Sequence, residues 1–397
     1  MNVDLKQIKY LTFGSPLIDM IVDVDEDFIN KFGLKLDTTI HVNSKENNVY
    51  FEASKYNPRY LAGGCSYNTI RVMNWMLNRK EDIGTFACLG SVGVDYHGEL
   101  YRELLNQEHI QPIFENIPTG DTGKCAVVCY KRERTHLTDL GASTSISEEF
   151  VDKNWDEISK TKLVFTELYI LSSKKPVVLK LAEMCLDKNK LFGFNFPATF
   201  FLNKFSEDIL EMISYGDVVF ANKEEAKFFV TEILNQNYND DSELAIILSM
   251  LPKKNKDKNR IFIVTCGPEP AHICVYNHNT EQIVFKGSFE PCWVETEKVV
   301  DTNGAGDSFA GGFLAYHEKG YDYESCMFAG HWAAAKIIQT RGCDIPFYEK
   351  PNPRLNNKNK NIESSNNNDK IKSDSLRKNS NAEKKKDEID LSVKEEL

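Results

Sequence analysis

Asp301-Thr302-Asn303-Gly304-Ala305-Gly306-Asp307-Ser308-Phe309-Ala310-Gly311-Gly312-Phe313-Leu314 is the stretch that decides how this chain is read. The β-prone pair Val299-Val300 comes just before it, and a helix-compatible run follows as far as Lys319. Gly304 and Gly306 therefore fall where the chain turns into a helix. Glycine there lets backbone N–H groups approach an anion, and the helix dipole favours negative charge at that end. Asp307 stands one residue further on, in the first turn. A carboxylate beside an anion-binding turn can take a proton from a hydroxyl while the turn stabilises charge on a transferred phosphoryl group. A plain Gly-rich turn with a dipole-favouring Asp would read alike over these few residues. No Gly-Lys-Ser/Thr follows the glycines, so this is not a Walker-type phosphate loop.

A second marker lies at 61–77, Leu-Ala-Gly-Gly-Cys-Ser-Tyr-Asn-Thr-Ile-Arg-Val-Met-Asn-Trp-Met-Leu. Gly63-Gly64 opens an amphipathic helix with Ile70, Met73, Met76 and Leu77 on its apolar face. The glycines permit a small ligand to approach the backbone, and Asn68 on the first turn can hold a hydroxyl. Upstream, Tyr10–Phe13 reads as a short strand broken by Gly14-Ser15-Pro16, after which Leu17-Ile18-Asp19 resumes an extended pattern. Asp19 thus stands just past a first strand, where open α/β sheets bind ligands. From residue 163 onward strands and helices alternate: Leu163–Ile170, about 176–188, Leu191–Phe196, about 203–215, Asp217–Phe220, then Ile261–Thr265. Such alternation implies a parallel sheet covered by helices on both faces. Residues 18–60 and about 110–140 are expected to form a small β-rich lid, with a hairpin turn at Arg132-Glu133-Arg134. Asn222 and Glu225 are spaced as a capping box. Pro252–Arg260 reads as a solvated loop, and His331 as a structural hydrogen-bonder on the last long helix.

Composition narrows the classes. The chain has 397 residues, is 41% hydrophobic and carries a formal charge of −11. It can bury a full core, and its acidic body argues against nucleic-acid binding by phosphate neutralisation. Ten cysteines are scattered with no CxxC pair, and Cys125 and Cys129 share one strand face as core thiols. With no secretory leader and no apolar run near 18 residues, a reduced protein of the cytoplasm, with the nucleus left open, is expected. A membrane partner is not expected. From Pro351 to Leu397 the chain turns to Asn, Lys, Ser and Glu and is expected to be disordered.

Taken together, Ala-Gly-Gly-x-x-x-Asn and, further along the chain, Asp-Thr-x-Gly-Ala-Gly-Asp-x-Phe-x-Gly-Gly-Phe resemble, in that order, the signatures of the ribokinase-like (PfkB) carbohydrate kinase family. Gly90-Ser-Val-Gly-Val-Asp95-Tyr-His-Gly98, Asn222-x-x-Glu225 and Thr265-x-Gly267 fit the same pattern, and the likeness covers roughly residues 8–350. The resemblance implies a three-layer α/β/α Rossmann-like body with a lid. It implies phosphorylation of a hydroxyl by ATP with Mg²⁺, and in fine detail it points to the ribose 5′-hydroxyl of adenosine, a purine-salvage step. Asp307 would be the base, and Gly304, Ala305 and Gly306 the anion hole. Arg134 would close over the γ-phosphate. Asp19, Gly63, Gly64 and Asn68 would hold the ribose, with Asn303 near the base or the phosphates. Asn222, Glu225, Thr265 and Gly267 would face the nucleotide, Glu225 reaching Mg²⁺ through water. A monomer working on small molecules is the expectation.

Three departures fall on nucleoside-recognition positions. Ser15 stands where the family pattern has Asn, and Thr39 where a base-contacting Gln is expected. Thr166-Glu167-Leu168-Tyr169 replaces an Ile-Ala-Gly-Phe-like stretch, which makes Tyr169 the aromatic wall over the base. Another sugar or nucleoside as substrate, or a non-catalytic nucleotide-binding scaffold, stays open at this point.

Overall fold

Among the described residues, fourteen strands divide between two sheets. They are β1 Tyr10–Phe13, β2 Leu17–Asp23, β3 Thr38–His41, β4 Arg59–Gly63, β5 Phe86–Gly93, β6 Ile110–Ile117, β7 Lys124–Tyr130 and β8 Glu133–Asp139, then β9 Leu163–Glu167, β10 Leu191–Asn195, β11 Val218–Asn222, β12 Arg260–Cys266, β13 Glu269–Asn277 and β14 Gln282–Phe289. The computed structural model describes residues 7–36, 38–42, 48–77, 84–131, 133–347 and 351. They belong to one unit, Met1–Arg354; the second, Leu355–Leu397, lies outside the described residues, and so, beyond Pro351, does the tail expected to be disordered.

The larger sheet has the order β14-β13-β12-β11-β10-β9-β1-β5-β6 and is parallel from β12 to β6, with β13 and β14 antiparallel at one edge. Its central strands are buried along their whole length, as β5 and β9 show. Alternate residues of one strand serve opposite faces: Leu11, Ala87 and Leu89 join one core cluster, Tyr10, Phe86 and Cys88 the other. A sheet fed with apolar side chains on both faces must be covered by helices on both, and that gives the three layers. The helices Cys65–Leu77, Ala305–Glu318 and Tyr323–Ile337 pack on the second of these faces.

The smaller sheet has the order β3-β8-β7-β2-β4. Met20, Val22, Ala126, Val128 and Leu137 build its own core with Phe28 and Val49, while Ile21, Leu61, Cys125, Val127 and Cys129 pack on its other face. Gly14-Ser15-Pro16 therefore marks the passage from one sheet to the other. The lid expected over about 110–140 is narrower than the sequence suggested. Ile110, Ile113 and Phe114 are buried, and Ile110–Ile117 pairs in parallel with β5 at the edge of the larger sheet. The expected turn at 132–134 is also tighter. Lys131 takes a left-handed φ of 56°, so Glu133 already starts β8 and Arg134 pairs across from Cys129.

The loop 252–260 is not simply solvated. Lys253 and Arg260 are buried; Lys253 Nζ pairs with Asp217 at 2.5 Å, and Arg260 Nη2 donates to the carbonyl oxygens of Ile213 and Pro252. Burying such charges is tolerated only with partners of this kind.

Candidate active site

The carboxyl ends of β9, β10, β11 and β12 converge on the amino end of the helix Ala305–Glu318. There they enclose a cavity of about 160 Å³. Of the residues singled out from the sequence, Tyr169, Asn222, Glu225, Thr265, Gly306 and Asp307 line it. Gly304 precedes the helix with φ +70°, where a Cβ would press against Cys343 at 3.1 Å. A Cβ at Gly306 would meet nothing within 4 Å, so the wall is open at the first turn. The N–H of Ala305 is directed at the Thr302 carbonyl, 3.3 Å away.

Asp307 is the centre of the polar contacts. Asn68 Nδ2 donates to its Oδ2 at 3.1 Å, and Asn195 Nδ2 to its Oδ1 at 3.2 Å. Burial pushes its carboxyl up to about 7, the hydrogen bond from Asn68 opposes this, and the charges of Glu167 and Asp19 add to it. Asn195 Oδ1 is buried with no hydrogen-bond partner among the described residues. An orphaned acceptor of this kind calls for a donor or cation from a ligand.

Asp19 and the glycine pair form one unit beside this cavity. A Cβ at Gly63 would fall 2.4 Å from Asp19 Oδ1, and one at Gly64 (φ +101°) 2.6 Å from the Ser15 carbonyl oxygen. Only glycine admits that approach. Burial also raises the Asp19 carboxyl to about 7, against the pull of the Arg71 charge.

On the far wall, Asn222 caps the helix Lys223–Phe228 in a full capping box with Glu225. The N–H of Asn222 donates to Glu225 Oε2 at 2.9 Å. Burial pushes Glu225 up to about 8, with the Asn222 N–H opposing and the Asp307 charge adding. A cation would relieve that cost. No cluster of three or more acidic, His or Cys ligands for a metal occurs among the described residues. Glu225, on this wall of the cavity, would suit a hydrated divalent ion brought in with a ligand. Thr265 Oγ1 donates to the Ala221 carbonyl at 3.4 Å, and Gly267 (φ +60°) turns β12 into β13.

Arg134 and Asn303 form a separate group at the lid edge. Arg134 Nη1 lies 3.2 Å from Oδ1 of the buried Asp301, which also accepts the N–H of Asn303, and Asn303 Nδ2 donates to the His136 ring. Tyr169 lines the cavity, with its hydroxyl accepting the Ala198 N–H at 2.8 Å. The Thr39 side chain lies outside the described residues.

Sequence reading missed Glu167, Asn195, Asp301 and His136. Asn195 did carry a signal, a polar residue ending the apolar strand Leu191–Asn195 at its carboxyl end. His331 has the structural role expected, its Nε2 bonded to the Phe289 carbonyl.

With this geometry in hand, comparison with known proteins is decisive. The pattern described as pfkB family carbohydrate kinase matches residues 29–350. The chain belongs to the pfkB carbohydrate kinase family. Relatives within this kinase family include adenosine kinase 2 of Arabidopsis thaliana, 31% identical over 344 residues, covering 86% of this chain and 96% of the plant protein. The adenosine kinase of Saccharomyces cerevisiae is 31% identical, with 85% and 96% covered. Among solved structures, Anopheles gambiae adenosine kinase in complex with P1,P4-di(adenosine-5) tetraphosphate superposes with a TM-score of 0.76 at 28% identity, covering 88% of this chain and all of that one. Schistosoma mansoni adenosine kinase with adenosine and AMP gives 0.74 at 27% identity, with 86% and 98% covered. This pfkB kinase therefore has the ribokinase-like α/β/α body that its motifs imply. No helix among the described residues is long and apolar enough to cross a membrane.

Proposed function

We propose that this kinase transfers the γ-phosphoryl group of ATP to the ribose 5′-hydroxyl of adenosine, giving AMP and ADP. The observation that carries the chemistry is Asp307, half-buried with a raised proton affinity at a helix amino end and held by Asn68 and Asn195. The identity of the nucleoside rests on the relatives, which are adenosine kinases over nearly their whole lengths.

In this reading Asp307 takes the 5′-hydroxyl proton. The freed oxygen bonds to the γ-phosphorus as the bond to the β–γ bridging oxygen breaks, and ADP leaves. Backbone N–H groups at Gly304 and Gly306, with the helix dipole, face the charge that develops, and that of Ala305 would join them on leaving the Thr302 carbonyl. Asp19, Gly63, Gly64 and Asn68 hold the ribose, and Tyr169 walls the base. Asn303 stands near the base or the phosphates. Arg134 swings from Asp301 towards the γ-phosphate when the lid closes and excludes water. Asn222, Glu225, Thr265 and Gly267 face the nucleotide. Mg²⁺ would neutralise phosphate charge, with Glu225 holding it through water. The protein acts as a monomer in the cytoplasm, its lid built from the smaller sheet.

A coupled ADP-release assay with ATP and Mg²⁺ tests the proposal, with adenosine, inosine, guanosine, ribose and fructose side by side. Strong preference for adenosine is expected. Turnover only with another of these compounds would keep the base and move the substrate, which the departures at Ser15 and 166–169 make the specific rival. No turnover with any would leave a binding scaffold.

A further inference from the structure

Glu167 is a buried carboxylate on the cavity wall for which the transfer chemistry above has no role. It ends β9, is 4% exposed, and shares the cavity with Asp307. Its Oε1 accepts the Ser15 N–H at 2.8 Å and its Oε2 the Ser66 N–H at 3.3 Å. Ser15 belongs to the turn that leaves β1 for the smaller sheet. Ser66 lies in the first turn of the helix that carries Asn68. The corner is packed tightly around this side chain: a Cβ at Gly14 would come 2.9 Å from its carboxyl carbon. Two of the positions where the sequence departs from the family pattern, Ser15 and 166–169, thus meet in one hydrogen-bonded unit.

We propose that Glu167 is a positioning residue of the transfer site, clamping the turn after β1 to the helix that carries Asn68 and setting a fixed negative charge beside Asp307. The inference rests on the kinase reading above. Burial pushes the Glu167 carboxyl up, and N–H donors to both oxygens, one from the turn after β1 and one from a helix amino end, draw it back towards the ionised form. A negative charge close to Asp307 makes that residue hold a proton more firmly, which strengthens it as a base. The other groups facing Asp307 are Asn68 and Cys65 on the helix Cys65–Leu77, Asn195 on β10, Asp19 on β2, Glu225 on the helix Lys223–Phe228, and Cys343. Among the carboxylates, Glu167 exerts the largest effect on Asp307. The clamp acts on geometry as well. Ser66 leads to Asn68, and Asn68 holds Asp307, so releasing the corner loosens the base.

The test is kcat and kcat/KM against pH for the unaltered protein, Glu167→Gln and Glu167→Asp, with ATP and adenosine. Asp307 must be unprotonated to act, so activity rises with pH through its titration. Glu167→Gln removes the charge, and the acid limb of kcat/KM should move to lower pH by at least about 0.5 unit. Glu167→Asp keeps the charge but shortens the reach to Ser15 and Ser66. Its limb should stay in place while kcat/KM falls by about tenfold, chiefly through kcat. The Asp variant scores the clamp even where the Gln variant does not fold. An unmoved limb in Glu167→Gln, or full kcat/KM in Glu167→Asp, in an enzyme that otherwise turns over, would overturn this inference alone. No turnover by the unaltered protein would overturn the kinase reading and this inference with it.

Discussion

At Asp307 three carboxylates, the buried Glu167 and the half-buried Asp19 and Asp307 itself, crowd one small region of a protein whose formal charge is already −11. Such crowding is costly for folding and useful for chemistry. Replacing Asp307 by Asn should lower kcat by at least about 10²-fold in the ADP-release assay, with adenosine binding retained in calorimetry. Near-normal turnover would remove it as the base. The same variant should report the cost. Asp307 holds its proton up to about 7 in the folded protein, well above the ordinary 3.8. Between those values the folded state keeps a proton that the unfolded state has released. Its contribution to stability therefore falls as pH rises through that window. Asp307→Asn should thus melt above the unaltered protein at pH 8, and the gap should shrink towards pH 5. A gap independent of pH would mean that burial does not govern this carboxyl.

At the scale of single elements, the glycine turn before the helix Cys65–Leu77 and the capping box at Asn222 do two jobs each. Gly64 has φ +101° and no room for a Cβ against the Ser15 carbonyl, so Gly64→Ala should cost about 1–3 kcal/mol in urea unfolding and raise the KM for adenosine. Unchanged stability would mean the turn relaxes freely. Glu225 satisfies the backbone at the start of its helix, which alone accounts for its position. Its raised proton affinity and place on the cavity wall argue for more. Glu225→Gln keeps an acceptor for the Asn222 N–H and should change stability by less than about 1 kcal/mol. The Mg²⁺ concentration for half-maximal rate should rise several-fold. If it does not, the capping role is sufficient.

Across the whole molecule, the cavity and both sheets belong to the unit Met1–Arg354, where the chain passes from one sheet to the other at Gly14-Ser15-Pro16. The tail carries eleven Lys and Arg and nine Asp and Glu over 351–397, with few apolar residues to bury. Truncation after residue 350 should leave turnover and the melting temperature unchanged. A large loss of either would show that the tail takes part in the fold or the site. The buried set Asp217, Lys253 and Arg260 belongs to this scale as well, for it ties the loop 252–260 to the sheet rather than to the chemistry.

Residue order alone determined the body, the place of Asp307 and the glycine cradle. Strand–helix alternation, continuous apolar strands and the glycine-flanked helix starts are local patterns, readable because backbone conformation and periodicity act over a few residues. They placed β1, β5, β9 and β12, the Gly63-Gly64 turn, and Asp307 in the first turn of its helix. What surrounds Asp307 came only with the tertiary structure. Asn195 and Glu167 reach the site because β10, β9 and β1 lie side by side, an order set by crossover connections and not by neighbouring residues. Arg134 lies against Asp301 because burial joined distant parts of the chain, and Ile110–Ile117 left the lid for the larger sheet because it pairs with β5. Contacts between residues more than a hundred positions apart leave no periodic trace in the chain, so only the folded protein assembles them.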